Sequence, residues 1–238
     1  MNTEQQSAIR NPQSAIKQSA WGFIQAGGRS SRMKLDKAWL EIDGVPMIER
    51  TVAAARPAVG RLGIVVNAAN PQIERYERLA ESRDARLIFD LHEHLGPLGG
   101  IHTALTHCGA GESALILACD LPFITTAFLS FLCDLHPTRN PQPATRDPQS
   151  AIRNPQSITV PLDQSNRLQP LAAIYDQSLE TVVGQMLAAN EFKVDLLHSR
   201  VSTRRVGFAE FAHLRDAERF FINVNTPEEH LAALERIS

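Results

Sequence analysis

The sequence predicts an α/β fold built on a mostly parallel sheet, and two observations carry that prediction. Short apolar runs rich in β-branched residues recur along the chain, and stretches with helical spacing of apolar residues alternate with them. Strands that are apolar along their whole length belong in a sheet covered on both faces, which is the parallel arrangement.

Taken in order, Trp21–Gln25 reads as the first strand and runs into Ala26-Gly27-Gly28. Pro46 opens a helix with Ile48, Val52 and Ala55 on one face, finished by Gly60. Leu62–Val66 is a buried-type strand. Asn70 as cap and Pro71 as first residue start a helix whose Ile73, Tyr76 and Leu79 share a face. Leu87–Phe89 is a third strand, followed by a helix carrying Leu98, Ile101 and Leu105. Ala114–Ala118 is a fourth, followed by a helix from Thr125 with Phe128, Leu132 and Leu135 inward. Leu171–Tyr175 is a later strand, and Leu179, Val182, Val183 and Met186 mark the helix after it. Phe220–Asn225 is expected as a last strand, with Thr226-Pro227-Glu228-Glu229 capping a final helix.

The 238 residues include two low-complexity tracts. Ser7–Ile16 recurs almost unchanged over Ser150–Ile158, and echoes of the unit place arginine at 139, 146 and 153. A proline in every unit forbids a continuous helix, and one small apolar pair per unit cannot offset the entropy of ordering it. The expected organisation is therefore a low-complexity tail at 1–19 and one domain over 20–238, interrupted by a low-complexity insertion at 138–157.

Lysine and arginine number 24 against 26 acidic residues, so no broad basic field favours nucleic acid or an anionic membrane. Cys108, Cys119 and Cys133 form no CxxC pair, which points away from a disulfide framework or a zinc ribbon. With no signal-like start and no apolar run of membrane length, a cytoplasmic location is expected.

In parallel sheets the ligand lies beyond the carboxyl ends of the strands. The four exits fall at Gln25, Val66, Phe89 and Ala118. At the first, two adjacent glycines allow backbone amides to approach a phosphate, and Arg29, Arg32, Lys34 and Lys37 follow within nine positions. The spacing is neither a Walker loop nor GxGxxG. At the fourth, Asp120 supplies a carboxylate suited to Mg²⁺ beside phosphates, or to capping the helix near Thr125. Asn67 and Asp90, at the second and third, suit a base or ribose and equally a turn. His92-Glu93-His94 has no metal-protease spacing and reads as a polar loop.

Gln25-Ala26-Gly27-Gly28…Arg32-Met33…Asp36-Lys37 resembles the LAGGxxxRMGxDK signature of molybdenum cofactor guanylyltransferases. Gly44-Val45-Pro46, Gly96–Ile101 (GPLAGI in that family), Cys119–Phe123 (CDxPF), Gln169-Pro170-Leu171 (EPL) and Phe221–Glu229 (FxNxNTPE) continue the likeness in order. The resemblance spans about 20–137 and 158–238 and implies a Rossmann-like, three-layer nucleotidyltransferase domain. It implies backbone contacts from Gln25, Ala26, Gly27 and Gly28 to GTP, triphosphate contact by Lys37, and nucleotide contacts by Asn67 and Asp90. It further implies Mg²⁺ on Asp120, with Lys37, Asp120 and Arg32 as the catalytic group. Gly96, Gly100, Gln169, Asn223 and Asn225 fall on the acceptor side. Two residues depart from the pattern: Lys34 stands where the family has glycine, and Gln25 replaces an aliphatic residue, mildly if only its backbone is used.

The implied reaction transfers GMP from GTP to the terminal phosphate of molybdopterin, or its molybdenum form, releasing pyrophosphate. Molybdoenzymes or their chaperones would receive the product. The alternatives are a cytidylyltransferase of the same family, another small nucleotidyltransferase, and a nucleotide-binding module without catalysis.

Overall fold

The computed structural model describes residues 20–26, 36–92, 95–136, 158–224 and 229. Strand β1 (Ala20–Gln25) leads to a 3₁₀ turn at Lys37–Trp39 and a short hairpin of β2 (Glu41–Ile42) and β3 (Val45–Pro46). Helix α1 (Met47–Ala55), β4 (Arg61–Val66), α2 (Ile73–Ser82), β5 (Arg86–Phe89), α3 (Gly96–His107), β6 (Ser113–Ala118) and α4 (Thr126–Leu135) then alternate. Beyond residue 157 come β7 (Ile158–Pro161), β8 (Ala172–Asp176), α5 (Glu180–Ala188), α6 (Val194–Arg200), β9 (Thr203–Val206) and α7 (Phe208–Phe211).

Among the described residues, seven strands form one sheet in the order β5-β4-β1-β6-β8-β7-β9. Pairing is parallel except along β8, which runs antiparallel to both β6 and β7. The alternation of side chains along β1 explains why both faces are covered. Ala20 and Ile24 point into a cluster with Ile48, Val52, Leu62, Phe128 and Phe220, while Trp21 and Phe23 point into one with Ile101, Ala114, Tyr175 and Leu197. Helices α1, α2 and α4 close the first face; α3, α5 and α6 close the second. The mostly parallel, three-layer α/β fold expected from the sequence is the one observed.

Several elements differ from expectation. Residues 220–224 are not a strand: Ala217–Arg219 form a 3₁₀ turn, and Phe220 is wholly buried with its ring centroid 4.8 Å from that of Phe128. Apolar residues at 220, 221 and 224 serve packing there rather than a ladder. Helix α2 begins at Ile73 instead of Pro71, because the Asn70 Oδ1 accepts the Gln72 N–H at 2.8 Å and closes a turn first. Strands β7 and β9 and the β2–β3 hairpin were not expected. The tail at 1–19, the insertion at 138–157 and the final helix, Glu229 excepted, lie outside the described residues.

Candidate active site

β1 sits where the order of strands turns, with β4 and β5 on one side and β6 on the other. A crevice opens at the carboxyl ends of strands at such a point. The register places Gln25 opposite Val65 and Ala118, and Val66 opposite Phe89, so all four strand exits lie along one edge. Backbone bonds from Ala26 N–H to Val65 O (2.8 Å) and from Cys119 N–H to Gln25 O (3.2 Å) carry the ladder to its end. Because β8 is reversed, its start joins the same edge: Ala118 N–H donates to Leu171 O at 2.8 Å, two residues after Gln169.

Asp120 follows β6 directly. Its Oδ1 is buried and meets no hydrogen-bond donor among the described residues. Burial is the main influence on this carboxyl and pushes it above the usual carboxylate range; its own backbone N–H and then Lys37 pull it back, and Glu229 pushes it further up. A buried oxygen without a donor is costly unless something occupies it. Next to it, the carbonyl of Cys119 lies 3.5 Å from the Thr51 hydroxyl of α1. Phe123 lies beneath the Arg219 guanidinium at 4.9 Å and packs on a small cluster of Ile42, Met47 and Val224. That cluster brings the exposed Asn223 back toward the Asp120 loop.

Lys37 opens the 3₁₀ turn that Asp36 caps, the Ala38 N–H donating to Asp36 Oδ1 at 3.2 Å. Gln25 uses its side chain: Nε2 donates to the Gly100 carbonyl at 3.0 Å, joining the β1 exit to the first turns of α3. The Gln25 substitution is therefore more than a backbone matter. Gly96 opens α3 with φ +69°, a conformation that favours glycine, and no side chain caps that helix end.

Asn67 and Asp90 each close a turn. Asn67 Oδ1 accepts the Ala69 N–H at 2.7 Å. Asp90 Oδ1 accepts the His92 N–H at 3.1 Å and the Thr103 hydroxyl at 2.7 Å. Gln169 Nε2 donates to Asp163 Oδ2 at 3.1 Å. His92 pairs with His102, 2.8 Å between ring nitrogens. Gly27, Gly28, Arg32, Lys34 and Asn225 lie outside the described residues. Sequence reasoning missed the partners of Asp36 and of the Gln25 side chain; Asp36 stood in the quoted motif, but nothing in the spacing announced what holds it.

Among the described residues no three His, Cys, Asp or Glu side chains form a metal cluster, and no helix is long and apolar enough to cross a membrane. One carboxylate with a buried oxygen that lacks a donor, beside a cationic turn, instead fits a divalent ion completed by phosphate oxygens.

The MobA-like NTP transferase domain matches residues 22–201. A Clostridium perfringens protein named probable molybdenum cofactor guanylyltransferase is 31% identical over 219 residues, covering 90% of this chain and 95% of that protein. The crystal structure of the molybdopterin-guanine dinucleotide biosynthesis protein A of Archaeoglobus fulgidus superposes with TM-score 0.68 at 22% identity, covering 91% of this chain and 98% of that one. A Mycobacterium tuberculosis protein solved in complex with manganese shares the fold, with TM-score 0.60 at 15% identity and 92% and 98% coverage. The described core, its switch-point crevice and these similarities agree: the chain belongs to the MobA-like NTP transferases and is a nucleotidyltransferase.

Proposed function

We propose that this chain transfers GMP from GTP to the terminal phosphate of molybdopterin, forming the guanine dinucleotide and pyrophosphate. The observation that carries the reading is the buried, donorless Oδ1 of Asp120 beside the Lys37 turn at the β1–β6 switch point. The names of the relatives, one of them a molybdenum cofactor guanylyltransferase, supply the acceptor.

In this reading Gln25, Ala26, Gly27 and Gly28 offer backbone around the base and phosphates, and Asn67 and Asp90 bound the nucleotide. Asn67 and Asp90 act as rigid turn residues, since their oxygens already accept local N–H groups. Lys37 and Arg32 neutralise the triphosphate. Gly96, Gly100, Gln169, Asn223 and Asn225 face the acceptor. Asp120 would hold Mg²⁺, which supplies charge neutralisation at the phosphates when bound; the manganese complex of a fold neighbour supports a divalent ion here.

An oxygen of the acceptor phosphate forms a bond to the α-phosphorus of GTP while the bond to the bridging oxygen breaks and pyrophosphate leaves. The attacking oxygen is anionic at neutral pH, so no general base is required. Positioning and charge stabilisation are the work left to the protein.

Pyrophosphate release from GTP and from CTP, each with Mg²⁺ and molybdopterin, tests the reading in wild type and Asp120→Ala. Turnover specific to GTP and abolished by the substitution is expected. Greater turnover with CTP would move the assignment to cytidylyl transfer, and GTP binding without turnover would make the chain a binding module.

A further inference from the structure

The Asp36 carboxylate gathers three donors from two parts of the chain. Oδ1 accepts the Ala38 N–H that closes the turn bearing Lys37. Oδ2 accepts the Tyr76 hydroxyl at 2.7 Å and the Asn70 side-chain amide at 3.0 Å. Tyr76 lies wholly buried in α2, and Asn70 stands at the entrance to that helix. Trp39, at the end of the turn, packs on Tyr76 with ring centroids 4.9 Å apart, and the Arg75 guanidinium lies 3.9 Å from the Trp39 ring centre. The turn that carries Lys37 is thus fastened to α2 by a carboxylate and an aromatic stack.

The three donors to Asp36 are all neutral. The immediate neighbour of Asp36 in the chain is Lys37. Burial, reinforced by Asp36, drives the Tyr76 phenol well above its ordinary range, so the hydroxyl keeps its proton and remains a donor.

We propose that Asp36, held by Tyr76 and Asn70, is a positioning residue that sets where the Lys37 ammonium meets the triphosphate. The inference rests on the reading that Lys37 binds the triphosphate. Asp36 does not touch the reacting atoms. A charge-assisted hydrogen bond lost from such an arrangement costs about 1.5–3 kcal/mol, enough for roughly a tenfold loss of affinity where the ligand depends on it.

The test is a double-mutant cycle on nucleotide affinity, with Mg²⁺ present and GTP and CTP titrated in parallel. Asp36→Asn is expected to raise Kd about tenfold and Tyr76→Phe about threefold. In a Lys37→Ala background, the Asp36→Asn effect shrinks below about twofold. Tyr76→Phe keeps the aromatic stack and supplies the cycle if Asp36→Asn does not fold. Equal effects with and without Lys37 would reduce Asp36 to a structural cap and overturn the proposal, even with GTP turnover intact. Coupling seen with CTP and not with GTP would uphold the positioning role while overturning the guanylyl reading. A wild-type chain that binds neither nucleotide overturns both.

Discussion

Gln25 Nε2 donates to the Gly100 carbonyl at 3.0 Å, a bond that joins the end of β1 to α3 across 75 residues of sequence. A Cβ on Gly100 would overlap the Gln25 Oε1. The amide group and the missing side chain therefore share one small space. Since Gln25 is flexible at its far end, Gly100→Ala should displace it and forfeit the bond, costing about 1 kcal/mol. Gln25→Ala should cost a similar amount, and the double variant little more than either. Thermal unfolding of the three variants checks this; additive losses would show that the two residues are independent.

Asp120 presents the opposite balance between stability and chemistry. Its carboxyl is raised chiefly by burial, so the folded protein resists its charge. Asp120→Asn keeps the shape and removes the charge. The variant is expected to lose at least about a hundredfold in pyrophosphate release while its melting temperature holds or rises by a few degrees. Calorimetry beside the turnover assay checks both; a marked drop in melting temperature would mean that Asp120 is a structural group.

Acid lability should come from histidines. Burial holds His136 at about 4, against an ordinary 6.5, and lowers His198 and His102 as well. These rings are neutral in the fold and take up protons more readily when unfolded. Stability from this source is complete above about pH 6.5 and falls as the pH drops toward 4, by on the order of 3 kcal/mol for His136. Denaturant melts across that range should show a shallower pH slope in His136→Gln; an unchanged slope would place the acid sensitivity elsewhere.

The His136 Nδ1 lies 2.9 Å from the Thr159 Oγ1. The end of α4 and the start of β7 are therefore adjoining points of the described fold. Replacing 138–157 by a short Gly-Ser linker should change the melting temperature by less than about 2 °C, since shortening a loop of this size alters closure entropy by only about 1 kcal/mol. GTP affinity should be unchanged. Differential scanning calorimetry and a GTP titration check both expectations, and a large loss in either would make the repeats structural.

Much of this molecule is legible in its sequence, for identifiable reasons. β1, β4 and β6 announce themselves because central strands buried on both faces must be apolar throughout, while the edge strand β5 shows through its short run Leu87-Ile88-Phe89. β9 hides because an edge strand tolerates Arg204 and Arg205, which read as surface. β7 is four residues long and abuts the repeats, and β2 and β3 have two residues each. Phe220 and Phe221 suggested a strand, but their apolar character serves packing around Phe128. At the candidate site, Lys37 and Asp120 are marked by motif, whereas the Asp36–Tyr76 bond spans 40 residues and leaves no local trace.

The reversal of β8 has a consequence for how the molecule divides. Residues up to 136 bring strand endings to this edge, whereas residues from 158 onward bring the beginning of β8 together with the endings of β7 and β9. The β6–β8 ladder joins them laterally, and it needs no covalent link between residues 137 and 157. A cut in that stretch severs no strand pairing of the described sheet. Within the described sheet the two parts meet along the β6–β8 ladder as complementary fragments would.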